Sequence, residues 1–336
     1  MTGQLSLFGE PEPAPAVSGA ASRVEGAPVA EAHVQLAARL GPLVHLGTSS
    51  WAFPGWSGIV YQGPYDASRL SREGLRAYAA HPLLRTVSID RSYYGPLDVA
   101  AYRGYAEQVP ADFRFMVKAP AECTTPWTRN AKGMPSGDNP RYLDPAFAEA
   151  VFVRPALEGL GATCGPLVFQ FPPQGRGVAR DPARFAARLH AFLERLPREA
   201  LCAVELRDAA LLTDDYVQAL AATGARHCVG VHPRAPGARE QQAAVEALPP
   251  GPLVVRWNLN PAYGYEEAKE KYAPFDRLME QDPATRGFLA RLCVAAVRGG
   301  QPVFLVANNK AEGSAPLTIF RLAEAIDVQG GVGPPG

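Results

Sequence analysis

The chain has 336 residues, 47% of them apolar, and its 33 basic and 33 acidic side chains leave no net charge. That length suits one large α/β domain with tails or two ordinary domains, and that apolar share suits a sizeable core. A neutral molecule has no whole-body attraction for nucleic acid or anionic lipid, so any binding of a polyanion must come from a local patch.

The chain opens MTGQLSLFGEPEPAPAVSGA, which places the apolar pentad Gln4, Leu5, Ser6, Leu7 and Phe8 ahead of a tract of Ala, Pro, Gly and Glu. Such a tract buries too little to order itself. Residues 1–36 are therefore expected to form a disordered, flexible tail, and the pentad is expected to seek a partner. Residues 37–327 carry the folded domain, and the Gly- and Pro-rich end from 328 to 336 is expected to fray.

Between those ends, short apolar runs alternate with helical stretches. The strand-like runs are LVHLGTS from Leu43, RTVSID from Arg85, FRFMVKA from Phe113, PLVFQF from Pro166, LCAVELR from Leu201, RHCVGVH from Arg226, PLVVRWN from Pro252 and PVFLVAN from Pro302. Helical stretches such as SREGLRAYAA, LDVAAYRGYAEQV, PARFAARLHAFLERL and APLTIFRLAEAI separate them, several beginning at a capping Ser or Asp or just after Pro. Eight β-α units whose strands are apolar on both faces predict a parallel sheet closed into a (β/α)8 barrel of the TIM type. An open doubly wound sheet is the rival, but the first turn, GTSSWAFPGW, is no GxGxxG loop and offers no dinucleotide cradle.

In such a barrel, functional groups gather where strands end and βα loops begin. Those positions hold Thr48, Ser49, Trp51 and Trp56 after the first strand, Asp90 and Tyr94 after the second, and Lys118 after the third. Gln170 follows at the fourth, Glu205 and Arg207 at the fifth, His232 and Arg234 at the sixth, Arg256 at the seventh, and Asn308, Asn309 and Lys310 at the eighth. Opposite charges at one barrel mouth must be paired, hydrated or aimed at a ligand. Glu205 is the sharpest general acid/base candidate, with Asp90 as its companion, although Glu205 beside Arg207 reads equally as a structural ion pair. Asp90 and Glu205 are also candidates to hold Mg or Mn, though no spacing demands it, and no organic cofactor is indicated. Two long connections, Ala119–Leu143 and the one after Trp257, mix basic and aromatic residues. They read either as lids that neutralise phosphate and stack on rings or, for YEEAKEKY, as a solvated helical turn. Five cysteines without a CxxC spacing read as buried thiols. The absence of a long apolar run and of a secretory layout predicts a cytoplasmic protein without membrane contact.

The blocks GTSSWAFPGWSG, RTVSIDRSYYGPL, FRFMVKAP, GPLVFQFPPQ, AVELRD and VANNKAEGSAP, in that order, resemble the YecE-like family, domain of unknown function 72. The resemblance implies a TIM-type barrel and no established activity. Its recurrent positions fall on Thr48, Ser49, Trp51, Trp56, Tyr94, Lys118, Gln170, Glu205, Arg207, Arg256, Asn308 and Asn309, among others. Two departures stand out: VSID replaces the usual Val-Glu-Ile-Asn, and Asp208 stands where His is usual. Separately, QLSLF is similar to the peptide by which bacterial polymerases and repair proteins dock on the DNA sliding clamp, with Gln in a polar subsite and Leu-Phe in an apolar pocket. Together these imply a barrel delivered to DNA and acting on a nucleic acid or other phosphate-bearing ligand, as a phosphodiester or phosphate-ester hydrolase. A binding module without turnover, or a sugar-phosphate hydrolase or isomerase unconnected to the clamp, are the alternatives.

Overall fold

The computed structural model describes residues 23–130 and 134–330, which excludes the pentad Gln4–Phe8. Eight strands close into one barrel: β1 (Val44–Thr48), β2 (Thr86–Ile89), β3 (Arg114–Lys118), β4 (Cys164–Phe171), β5 (Cys202–Leu206), β6 (Arg226–Val231), β7 (Leu253–Trp257) and β8 (Val303–Ala307). All neighbours run parallel, and β1 pairs with both β2 and β8, which removes every sheet edge. Seven strands lie within the runs predicted for them, and β4 begins two residues ahead of its run, at Cys164 rather than Pro166. The chain is a (β/α)8 barrel of the TIM type.

Burial explains why the runs are apolar on both faces. Outward residues such as Phe115, Val117, Leu167, Phe169 and Val204 join the main core under the helices. Inward residues form a second cluster of Met116, Val168, Ala203, Cys228, Val254, Phe304 and Val306 inside the barrel. That plug fills the lumen, so ligand access is confined to the mouth.

Helices begin where the sequence supplies caps. Asp98 accepts a hydrogen bond from the Ala101 amide, and Asp181, Thr213 and Asp282 do the same for the helices Pro182–Glu194, Asp214–Thr223 and Pro283–Arg298. The helix Asp214–Thr223 ends on Gly224, whose φ of 74° is the left-handed stop that favours glycine.

Order begins earlier than the expected boundary at residue 37. Val24 is buried, the Ala27 amide donates to the Val60 carbonyl at 2.9 Å, and residues Glu31–Leu40 form a helix. That helix buries Leu36 and Leu40 and is tied to the last helix, Ala315–Gly330, by an Arg39–Asp327 ion pair at 3.0 Å. Its apolar face is too short to announce itself in a stretch of Ala and Glu, and its partner is almost the whole chain away. Within the long connection after β3, Trp127–Arg129 and Pro135–Asp138 pair as an antiparallel hairpin. Among the described residues, no helix is long and apolar enough to cross a membrane.

Candidate functional site

Side chains on a strand alternate between faces, so the apolar plug and the polar mouth are fixed by the same period of two. Going up β5, Ala203 lies in the plug and Glu205 and Arg207 follow at steps of two; on β7 the sequence is Val254, Arg256, Asn258, and on β3 Met116, Lys118. On β2 the series is Thr86, Ser88, Asp90. The layer above the plug is therefore charged.

Glu205 is completely buried, and donors occupy both of its oxygens. Arg207 Nη2 lies 2.5 Å and Asn258 Nδ2 3.1 Å from Oε1, while Arg256 Nη1 lies 2.7 Å from Oε2. Burial by itself would push the Glu205 carboxyl up, but Arg207 and Arg256 outweigh it and hold the group below the ordinary carboxylate range. The second nitrogen of Arg256 reaches Asp90 at 2.9 Å, and Ser88 donates to Asp90 at 2.6 Å. Burial likewise opposes the Arg256 charge, yet Asp90 and Glu205 more than offset it. Asp90 differs from Glu205 in access, its side chain being 34% exposed.

These strands can meet because β6 contributes no side chain between them. Gly230 pairs in register with Arg256, and a Cβ there would lie 3.0 Å from Glu205 Oε1. The gap lets a guanidinium on β7 cross β6 to a carboxylate on β5.

Above this network opens a cleft of about 740 Å³ lined by Asp90, Lys118, Gln170, Arg207, Arg256 and Asn308, with the loops around His232 and Tyr265 as walls. Lys118 Nζ sits 3.5 Å over the Tyr93 ring. Burial pushes its ammonium down to about 8, against the opposing pull of Asp90. Burial, reinforced by Arg207, pushes His232 down to about 4, so its imidazole is neutral near pH 7. Arg207 Nη1 is buried and has no hydrogen-bond partner among the described residues.

Of the positions expected at the barrel face, Asp90, Tyr94, Lys118, Gln170, Arg207, His232, Arg234, Arg256 and Asn308 line the cleft, Glu205 lies directly beneath it, and Lys310 sits against the Tyr265 ring. The others serve the fold. Thr48 is buried and bonded to Tyr78; Ser49 accepts from Asn308 at 2.7 Å; Trp51 donates to the Leu70 carbonyl at 3.1 Å. Trp56 is wholly buried and donates to Asn309 at 3.2 Å, and the same Asn309 oxygen accepts from the Ala315 amide that starts the last helix. Trp51 and Trp56 are thus core residues that lock the first and last loops, not walls of the cleft. Asp208 also holds a loop, accepting from the Gln174 amide at 2.5 Å.

A divalent cation bridging Asp90 and Glu205 does not fit this arrangement. The Arg256 guanidinium already spans the two carboxylates with one nitrogen on each. A cation held by both would have to share their oxygens with a fixed positive charge. Among the described residues no group of three or more His, Cys, Asp or Glu could hold a metal ion.

The segment Tyr265–Tyr272 is a helix, and its basic groups are committed locally: Lys269 pairs with Glu266 at 3.3 Å, and Lys271 pairs with Glu280. Leu259, Ala268 and Tyr272 give it a small core of its own. The mixed-charge helical reading of YEEAKEKY describes these residues, while Tyr263 and Tyr265 face the cleft.

The family described as "protein of unknown function DUF72" matches residues 45–334. The chain belongs to the DUF72 family. Solved DUF72 structures share its architecture. A DUF72 protein from Thermotoga maritima is 20% identical, with a TM-score of 0.56, over 85% of this chain and 99% of its own. One from Enterococcus faecalis is 15% identical, with a TM-score of 0.57, over 84% and 95%. At such identities the likeness concerns the fold alone. A search of curated proteins finds no match. Against the pattern Val-Glu-Ile-Asn that VSID resembles, this DUF72 chain carries its β2 acid at Asp90, two residues further along the same inward face than position 88, and Ser88 supports it from below.

Proposed function

We propose that the mouth of the barrel binds a phosphate-bearing ligand and hydrolyses its ester bond. The observation that carries this reading is the surplus of positive charge on the cleft. Lys118, Arg207, Arg234 and Arg256 face only Asp90 and the buried Glu205, and Lys118 and Arg234 form no ion pair among the described residues. Lysine and arginine whose donors are left open in a partly desolvated cleft suit an anion with several acceptor oxygens.

Glu205 is a positioning residue in this scheme. An enclosed carboxylate with a guanidinium on each oxygen cannot approach a substrate proton, so the acid/base work expected of it passes to Asp90 and Lys118. Asp90, reachable from the cleft and aimed by Ser88 and Arg256, takes a proton from water as the water oxygen bonds to phosphorus. The ester P–O bond breaks, and the Lys118 ammonium gives its proton to the leaving oxygen. Arg207 and Arg234 face the phosphoryl oxygens as charge builds on them.

Calorimetry with inorganic phosphate, followed by phosphate release from a panel of monoesters and diesters, tests the proposal. Binding together with hydrolysis that Asp90→Asn abolishes supports it; the absence of phosphate binding overturns it. Phosphate binding without hydrolysis of any ester supports instead the module without turnover.

The pentad Gln4–Phe8 supports a second element of the proposal, docking on the DNA sliding clamp by a peptide with two apolar anchors. Its basis is the sequence QLSLF. Retention of the purified clamp by the full chain, and its loss in Leu7→Ala/Phe8→Ala, is the expected result; equal retention by both would refute it.

A further inference from the structure

We infer that the ligand carries a flat heteroaromatic ring set apart from its phosphate: the cleft suits a nucleoside phosphate, with the base on Tyr94 and Tyr265 and the phosphate on Lys118 and Arg207. The inference rests on the phosphate reading above and names the other half of the ligand.

Most aromatic rings of the described residues are buried or half-buried. Among the described residues, only two aromatic side chains count among the exposed large apolar groups, Tyr94 at 83% and Tyr265 at 54%, and both line the same cleft. Exposed rings gathered at one polar cavity mark a contact surface rather than a leftover of packing. They also come from different loops, Tyr94 from the end of β2 and Tyr265 from the connection after β7, yet lie near enough for Tyr94 to influence the Tyr265 hydroxyl.

Each ring has a neighbour against it. Tyr94 stands edge-on to Tyr93 at 5.3 Å, the ring that carries Lys118 on its face. Tyr265 opens a helix with its own small core, and Lys310 Nζ lies 4.2 Å from its ring centre. Tyrosine, with only two side-chain torsions, loses little freedom when a base stacks on it.

The layout separates the ring from the phosphate. Arg207, 7% exposed, lies at the floor, whereas the two tyrosines stand at the exposed rim. A phosphate on the floor and a ring at the rim need a spacer, which a ribose supplies and which phosphotyrosine, with phosphate bonded to its ring, lacks. A cleft of about 740 Å³ is within the size range of pockets that enclose a small organic ligand.

Calorimetry on the full chain with inorganic phosphate, ribose 5-phosphate, O-phosphotyrosine, AMP and a 5′-phosphorylated octathymidylate decides the matter. AMP should bind at least about tenfold more tightly than ribose 5-phosphate, the scale of one base stacked on an aromatic ring. Tyr94→Ala and Tyr265→Ala should each remove most of that difference without changing inorganic phosphate binding, and Tyr94→Phe should keep it. Tight binding of the octathymidylate through the same tyrosines places the nucleotide unit at a strand end, and preference for AMP places it free in solution; either supports the inference. Equal affinity for AMP and ribose 5-phosphate, tighter binding of phosphotyrosine, or indifference to both alanine variants overturns the ring while leaving the phosphate site standing. Failure of inorganic phosphate to bind overturns the underlying reading instead.

Discussion

Replacing Glu205 by Gln tests the buried network at its centre. The substitution keeps the shape of the side chain and one acceptor oxygen, but it removes the negative charge that faces Arg207 at 2.5 Å and Arg256 at 2.7 Å. Both residues are largely buried, 7% and 2% exposed, so water in the cleft can compensate them only in part, and Asp90 offers compensation to Arg256 alone. Leaving one partner of a buried pair uncompensated costs about 3–5 kcal/mol. With about 2 cal/mol/K of unfolding entropy per residue, the melting point of a chain this size should fall by about 4–7 °C. Scanning calorimetry and urea unfolding of Glu205→Gln at pH 7 measure it, with Glu324→Gln in the exposed Arg321–Glu324 pair as a control expected to stay within about 0.5 kcal/mol. Adding Arg207→Met to Glu205→Gln should recover part of the loss, because it removes one of the stranded charges. A loss below about 1 kcal/mol, or no recovery in the double variant, would mean that solvent reaches the guanidiniums and that Glu205 does not hold them.

Because the Glu205 carboxyl is held below its ordinary value in the folded state, its contribution is present above the unfolded pKa of about 4.5 and lost as pH falls through the lower folded value. Wild-type stability should therefore drop more steeply below pH 4.5 than that of Glu205→Gln. Phosphate affinity should weaken by up to tenfold per unit as pH rises through about 8, where Lys118 sheds its proton, and Lys118→Arg should flatten that profile in titration calorimetry. Trp56→Phe deletes the indole donor to Asn309 and should cost about 1–2 kcal/mol in urea unfolding, with phosphate affinity little changed, since Trp56 is outside the cleft. Gly47→Ala puts a Cβ 1.7 Å from the Thr86 carbonyl where β1 meets β2; the variant should fail to yield soluble, folded protein, and a normal circular dichroism melt would refute this reading of the seam.

The barrel was legible because its strands are short, apolar on both faces and separated by capped helices, a pattern that local sequence carries by itself. The roles at the mouth were not, because they depend on partners far along the chain. Asn308 and Asn309 are adjacent in sequence and alike in chemistry, yet one faces the cleft and the other bonds to Trp56, 253 residues away. Glu205 and Asp90 both lie on inward series of alternating residues. Only the closed sheet shows that one is sealed by two arginines while the other is left with a third of its side chain in solvent. The helix Glu31–Leu40 escaped notice for a related reason: its stability comes from docking on the last helix, which a window of ten residues cannot display.

The charged mouth depends on an absence as much as on the charges. In the strand order β7, β6, β5, an arginine on β7 and a glutamate on β5 are next-but-one neighbours, and any side chain on β6 in register with Arg256 would stand between them. Gly230 removes it. Once Arg256 crosses to Glu205, its other nitrogen is left pointing across the mouth, where it fixes Asp90 from β2. The exposed carboxylate is thereby oriented by a buried one through a single guanidinium. Arg207 spends Nη2 on that buried partner and keeps Nη1 unpaired at the floor of the cleft. Lys118 on β3 and Arg234, which form no ion pair among the described residues, leave the mouth with more positive than negative charge, which is what the proposed phosphate ligand requires.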